Sequence, residues 1–214
     1  MLTELACHGQ DCTFNDILET VFIASQYDIG CVSLPSGFMS RINNFLNDQT
    51  FSAAIDYPYG LNTTQVRLHE IILAIRQGAS FIDLVLNNSY IAERNWSKIK
   101  KDLKSCLSVC YQNDVELRPI IEYRLFDVET VLNLCSVLDT LGLDRIINST
   151  GCIVDDFHDN AVISYQIQKK TSLSVVYGGP VLTNDHYEIL QKMKIHAVRF
   201  TSRKIAENIL SNGV

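Results

Sequence analysis

Asp83 stands inside an apolar run, Phe81-Ile82-Asp83-Leu84-Val85-Leu86, where a charged residue is costly unless it is paired. Arg118 and Glu122 bracket a second apolar run, Arg118-Pro119-Ile120-Ile121-Glu122. If both runs line one barrel interior, Asp83, Arg118 and Glu122 form a triad that can hold a proton-transfer water or neutralise itself. The plainer alternative is an interior aspartate held by local hydrogen bonds. Thiol chemistry has weaker support. Cys31 closes a predicted strand and Cys152 follows Thr150-Gly151, so both are candidates for a barrel mouth. A cysteine nucleophile needs a base, and only His8 and His158 fall in predicted loops near other strand ends. His69, His186 and His196 read as structural.

Those residues need elements to hold them. Short β-branched runs predict strands at Leu2–Ala6, Ile29–Leu34, Phe51–Ile55, Phe81–Leu86, Leu117–Glu122, Arg145–Asn148, Leu173–Tyr177 and Ala197–Thr201. Between them run stretches with helical spacing, such as Ile17, Val21 and Ala24, or Ile71, Ile72 and Ile75. Thr13 to Asp16 reads as a capping box with Asp for Glu, and Thr183 or Asn184 can cap another helix. Eight strand–helix repeats with short connections predict an α/β fold, a compact single-domain (β/α)8 TIM barrel over residues 1–214. An open doubly wound sheet is the runner-up. It would advertise a Gly-rich loop after the first strand, and Leu5-Ala6-Cys7-His8-Gly9-Gln10 is not one. In a barrel, chemistry sits at the C-terminal ends of the strands. That directs attention to Glu4, Cys31, Asp56, Asp83, Arg118, Glu122, Asn148, Ser149, Tyr177, Arg199 and Thr201.

Composition excludes several classes of function. The 214 residues are 47% hydrophobic and 20% charged, which suits a globular core and argues against disorder. A net charge of -6 offers no basic surface for nucleic acid or anionic lipid. No apolar run approaches the roughly 20 residues that span a bilayer, and Met1-Leu2-Thr3-Glu4 does not open a signal peptide. A cytoplasmic protein with neither membrane nor nucleic-acid partners is expected. Seven scattered cysteines read as reduced thiols rather than a disulfide framework. Cys106 and Cys110 share a helix face, but nothing nearby completes a metal site.

An ordered set of blocks carries a family resemblance. Pro58-Tyr59-Gly60-Leu61-Asn62-Thr63-Thr64-Gln65-Val66-Arg67, Ile82-Asp83-Leu84-Val85-Leu86-Asn87, Arg118-Pro119-Ile120-Ile121-Glu122, Ser149-Thr150-Gly151 and Gly178-Gly179 occur in sequence. Together they resemble the deoxyribose-phosphate aldolases, from about Glu4 to about Ser202. The resemblance implies a barrel lyase that joins acetaldehyde to glyceraldehyde 3-phosphate, and no cofactor. It implies that Asp83 works with a water in proton transfer, that Glu4 stands for an aspartate, and that Arg118 replaces a lysine. It also implies a sugar-phosphate site at Ser149, Thr150, Gly151, Gly178, Gly179, Thr201 and Ser202, with Arg199 or Arg203 as an added contact. Small residues that merely make tight turns are the alternative there.

The departures bear on the covalent step. The family's Schiff-base lysine aligns with Ile147 in Arg145-Ile146-Ile147-Asn148, and its second lysine falls at about Val175. Neither side chain can form an imine. The nine lysines are Lys98, Lys100, Lys101, Lys104, Lys169, Lys170, Lys192, Lys194 and Lys204, and no predicted strand contains one. Only Lys204, just after the last strand, is placed to lean over the mouth. Three functions follow as expectations. One is a family member that binds a small phosphorylated metabolite without Schiff-base chemistry, retaining at most proton transfer through Asp83 and Glu122. Another is an aldolase with a relocated lysine such as Lys204. The third is a non-catalytic scaffold. Assembly as a homodimer is left open.

Overall fold

The structure, a computed structural model, describes residues 1–42 and 49–211. Eight parallel strands close into one barrel in sequence order: β1 (Leu2–Ala6), β2 (Cys31–Pro35), β3 (Phe51–Ile55), β4 (Phe81–Val85), β5 (Glu116–Ile120), β6 (Arg145–Ile147), β7 (Ser174–Tyr177) and β8 (Ala197–Phe200). Closure rests on β1 pairing with β8, with Glu4 opposite Arg199. The open sheet is thereby excluded. Among the described residues the helices are α1 (Phe14–Gln26), α2 (Met39–Ile42), α3 (Thr64–Arg76), α4 (Asn88–Ala92), α5 (Trp96–Gln112), α6 (Val128–Asp139), α7 (Phe157–Lys170), α8 (Asn184–Lys192) and α9 (Arg203–Ser211). None is long and apolar enough to cross a membrane.

Each predicted strand has a counterpart whose ends differ by at most two residues. The largest changes are at β2, which starts at Cys31, and β5, which stops at Ile120. Cys31 therefore opens its strand instead of closing it, and it is buried among charged groups rather than placed at the mouth. Burial pushes its thiol up to about 12.

Local signals set the helix ends. Thr13 caps α1 and Asp16 returns the bond to the Thr13 N–H at 2.9 Å, a reciprocal capping box. Thr183 caps α8 by accepting from the His186 N–H. Two apolar layers follow from the period of two in the strands. Outward residues such as Ile82, Leu84, Ile146, Val175 and Tyr177 pack with the helices into the main core. Inward, Val85, Ile120, Ile147, Val176 and Ala197 of β4 to β8 form a smaller cluster, against which Tyr57 packs.

Candidate functional site

Four inward charges fill the barrel. Asp83 and Arg118 are neighbours on β4 and β5, and Glu4 and Arg199 are neighbours on β1 and β8. The Arg118 guanidinium donates to Asp83 at 2.7 and 3.1 Å, and across the lumen to Glu4 at 2.6 Å. Arg199 donates to Glu4 at 3.0 and 2.6 Å and across to Asp83 at 2.8 Å. Ser52 and Ser33 hydroxyls add bonds to Asp83 Oδ2 at 2.6 and 3.0 Å. All four charged side chains are buried, and their charges sum to zero. Burial alone would raise the Asp83 carboxyl. The Arg118 and Arg199 guanidinium groups and the hydrogen bonds overcome this and hold it well below the usual carboxylate range.

The predicted triad is corrected in one member. Glu122 lies beyond the end of β5 and does not join Asp83 and Arg118. It accepts instead from the Ser149 hydroxyl at 3.1 Å, the Thr150 N–H at 3.1 Å and the Thr150 hydroxyl. Arg199 takes the place that the sequence assigns to Glu122. Burial raises the Glu122 carboxyl, against the pull of those three hydrogen bonds.

Val85 and Ile120 lie one inward step beyond Asp83 and Arg118, in the cluster that contains Ile147 and Val176. Ile147 pairs with Val176 in register, and both are fully buried. On β7 the residue named from the sequence, Val175, is not the interior one. Val175 faces the helices, and Val176 is the interior residue beside Ile147. Lys98 to Lys104 lie on α5, Lys169 and Lys170 on α7, Lys192 on α8 and Lys204 on α9, while Lys194 follows α8. Among the described residues no strand carries a lysine.

Three small-residue turns converge at the mouth. A Cβ placed on Gly151 would lie 3.5 Å from Thr201 Cγ2 and 3.7 Å from the Gly178 carbonyl oxygen. Gly179 is pressed against Asn160 and the Tyr177 hydroxyl. Many donors of these turns are already used within the protein. Gly151 N–H donates to the Ser149 hydroxyl, Cys152 N–H to the Thr150 hydroxyl, and Gly178 N–H to Asn148 Oδ1 at 2.8 Å. Thr201 and Ser202 differ, because they line a cavity of about 440 Å³ with Gly9, His8, Arg203 and exposed Lys204. Neither candidate arginine is free for an anion. Arg199 belongs to the buried quartet, and Arg203 is held by Asp16 at 2.8 Å and Glu19 at 3.3 Å.

Two residues of the mouth escape the sequence reading in this role. Tyr57 spans it from the β3 side, donating to the Thr150 carbonyl at 2.7 Å, with its ring centroid 4.6 Å from that of His8. His8 in turn bonds Ser33 at 3.0 Å, which links the cavity wall to Asp83. Burial and the Arg199 charge push the His8 imidazole down to about 3, against the pull of Asp83. The missed signal was the period of two in β2 and β3. Ser33, Ser52 and Ala54 are small inward positions in otherwise apolar strands, and they leave room for the quartet.

Comparison with known proteins follows the same lines. No family model matches the chain. The deoxyribose-phosphate aldolase of Histophilus somni (strain 2336) is 28% identical over 141 residues, which are 65% of this chain and 62% of that enzyme. The matched stretch is thus under two thirds of that relative's length. The enzyme of the same name from Mycoplasmopsis pulmonis is 28% identical over 158 residues, 73% of this chain and 70% of that one. Among solved structures, the tetrameric deoxyribose phosphate aldolase of Aeropyrum pernix superposes with a TM-score of 0.86 at 18% identity, covering 99% of this chain and 90% of that one. The 3-hexulose-6-phosphate synthase of Salmonella typhimurium reaches 0.72 at 9% identity, with both chains fully covered. At such identities the structures show the barrel alone, and the curated relatives carry the rest. With its ordered blocks on this frame, the chain is similar to the deoxyribose-phosphate aldolases in sequence and shares their barrel.

Proposed function

We propose that this barrel binds a small phosphorylated metabolite at its mouth and performs no Schiff-base chemistry. The observation that carries the reading is the buried apolar cluster of the barrel interior, in which Ile147 stands at the position of the family's Schiff-base lysine and its neighbour Val176 brings no amine either. The charge that remains inside is self-neutralised. Asp83 is held ionised by two guanidinium groups and its oxygens are occupied, so it is a poor base. Glu122, raised by burial at the Ser-Thr-Gly turn, is the better candidate for any lysine-independent proton transfer.

The anion site in this reading is the wall formed by Thr201, Ser202 and Lys204 beside the first turn of α9. Ser149, Thr150, Gly151, Gly178 and Gly179 do not line this cavity, and Gly151 adjoins it through Thr201. The relocated-lysine reading has one observation in its favour, because Lys204 lines this cavity. Yet the side chain is exposed, and an amine nucleophile is activated by a site that desolvates it.

The test combines trapping with ligand binding. Borohydride reduction in the presence of acetaldehyde or deoxyribose 5-phosphate is expected to leave the chain's mass unchanged. Inorganic phosphate or deoxyribose 5-phosphate at about 100 times its Kd should stabilise the fold by about 2.7 kcal/mol. Ser202→Ala combined with Lys204→Ala should remove most of that gain. A stoichiometric adduct on any lysine, or no thermal response to either anion, overturns the proposal.

A further inference from the structure

Outside the quartet and the mouth turns, the described residues include a pair of thiols that no step above uses. Cys7 and Cys12 lie with their sulfur atoms 2.7 Å apart. The remaining described thiols are elsewhere: Cys31, Cys106, Cys110 and Cys135 are buried, and exposed Cys152 sits 3.1 Å from the Tyr57 hydroxyl. The pair is only partly buried and lines the 440 Å³ cavity, so a small reagent can reach it.

Rigid elements fix both ends of the intervening loop. Cys7 directly follows β1, and its N–H donates to the Ser33 carbonyl of β2 at 3.0 Å. Cys12 directly precedes Thr13, the capping residue of α1. Between them the chain turns back through a bond from the Cys12 N–H to the Gly9 carbonyl at 3.0 Å. The sulfurs are therefore brought together by strand, cap and turn, and little movement separates them from the roughly 2.05 Å of a disulfide. A shared metal ion is a poorer account, because no group of three or more His, Cys, Asp or Glu side chains among the described residues is placed to hold one.

We propose that Cys7 and Cys12 are a thiol–disulfide modification site, in which a small disulfide such as oxidised glutathione converts the pair into an intrachain bond that clamps the β1–α1 loop. The clamped segment carries His8, Gly9 and Asp11, which form one wall of the cavity. The exchange is balanced in two steps. The Cys7 thiolate attacks one sulfur of the reagent and releases one glutathione thiolate. The Cys12 sulfur then attacks Cys7, passes its proton to the departing second glutathione, and closes the ring. Two electrons leave the protein and reduce one disulfide to two thiols. Burial, and then the hydrogen bond with Cys7, push the Cys12 thiol up to about 12. That order of events assigns the first attack to Cys7.

The full chain should be equilibrated with graded mixtures of oxidised and reduced glutathione, quenched in acid, alkylated in denaturant and mapped by fragmentation mass spectrometry. Cys7 and Cys12 are expected to lose about 2 Da together and to escape alkylation while Cys152 is still alkylated. Cys12→Ser should instead carry one glutathione on Cys7, with an unchanged far-ultraviolet circular dichroism spectrum. Amide exchange over residues 8–11 should slow several-fold on oxidation of the unaltered chain. The proposal is overturned if both thiols remain alkylatable in mixtures that already modify Cys152. It is also overturned if Cys7 pairs with another cysteine, or if exchange in the loop is unchanged.

Discussion

His8 shows how much one side chain can report on this interior. Its ring packs on Tyr57 and its Nε2 faces Ser33. With the imidazole pushed from 6.5 to about 3, the folded chain binds fewer protons than the unfolded chain between those values. Stability should therefore be intact above about pH 6.5 and fall as the pH drops towards 3. The ring is partly exposed, so the effect is a fraction of the full shift, about 2 kcal/mol. Urea denaturation at pH 7 and pH 4 should show this loss in the unaltered chain and about 2 kcal/mol less of it in His8→Gln. Equal losses in both would place the pH dependence elsewhere. Glu122 teaches a related lesson. Its sequence neighbours suggested a partner for Asp83, yet three donors from Ser149 and Thr150 claim it, because the strand ends at Ile120 and the chain turns outward.

At the scale of elements, the loop between β3 and α3 determines what covers the barrel. Arg67 on α3 is buried and donates to Asp56 at 2.7 Å, to the Gly60 carbonyl at 2.5 Å, and to Asp102 of α5. These bonds fold the loop so that Tyr57 reaches Thr150. Gly60 is the tight point, with φ of 66° and a would-be Cβ only 2.1 Å from the Leu86 carbonyl oxygen. Gly60→Ala should therefore cost at least about 2 kcal/mol and loosen Tyr57, readable as a lower Tm with faster amide exchange over residues 56–62. A neutral substitution would mean that the loop tolerates another path. The block around Pro58 and Asn62 was legible as a motif, and Arg67 was part of it. Its two carboxylate partners were not legible, because Asp56 and Asp102 lie 11 and 35 residues away.

Across the whole molecule, the quartet ties β1 and β8 to β4 and β5, and the Glu4–Arg199 bond joins residues 195 positions apart. Arg199→Met leaves Glu4 and Asp83 under-compensated in a buried site and should cost about 3 kcal/mol. Adding Glu4→Met removes a charge of the opposite sign, so the double variant should lose less than the sum of the two single variants. Additive losses would deny the coupling. Eight strand–helix repeats, the capping box of α1 and the absence of lysine from every predicted strand could all be read from the chain alone, because periodicity, caps and composition are local properties. The lack of amines in the barrel interior was legible for the same reason, although the inward residue on β7 is Val176 and Val175 faces the helices. Only the tertiary structure decided that Arg199 completes the interior ion cluster, that Glu122 holds the Ser-Thr-Gly turn, and that Cys7 meets Cys12. Barrel closure and strand stagger choose which inward side chains meet across the lumen, and a loop's return path chooses which thiols touch. Both depend on the closed shape of the chain and not on any local stretch of it.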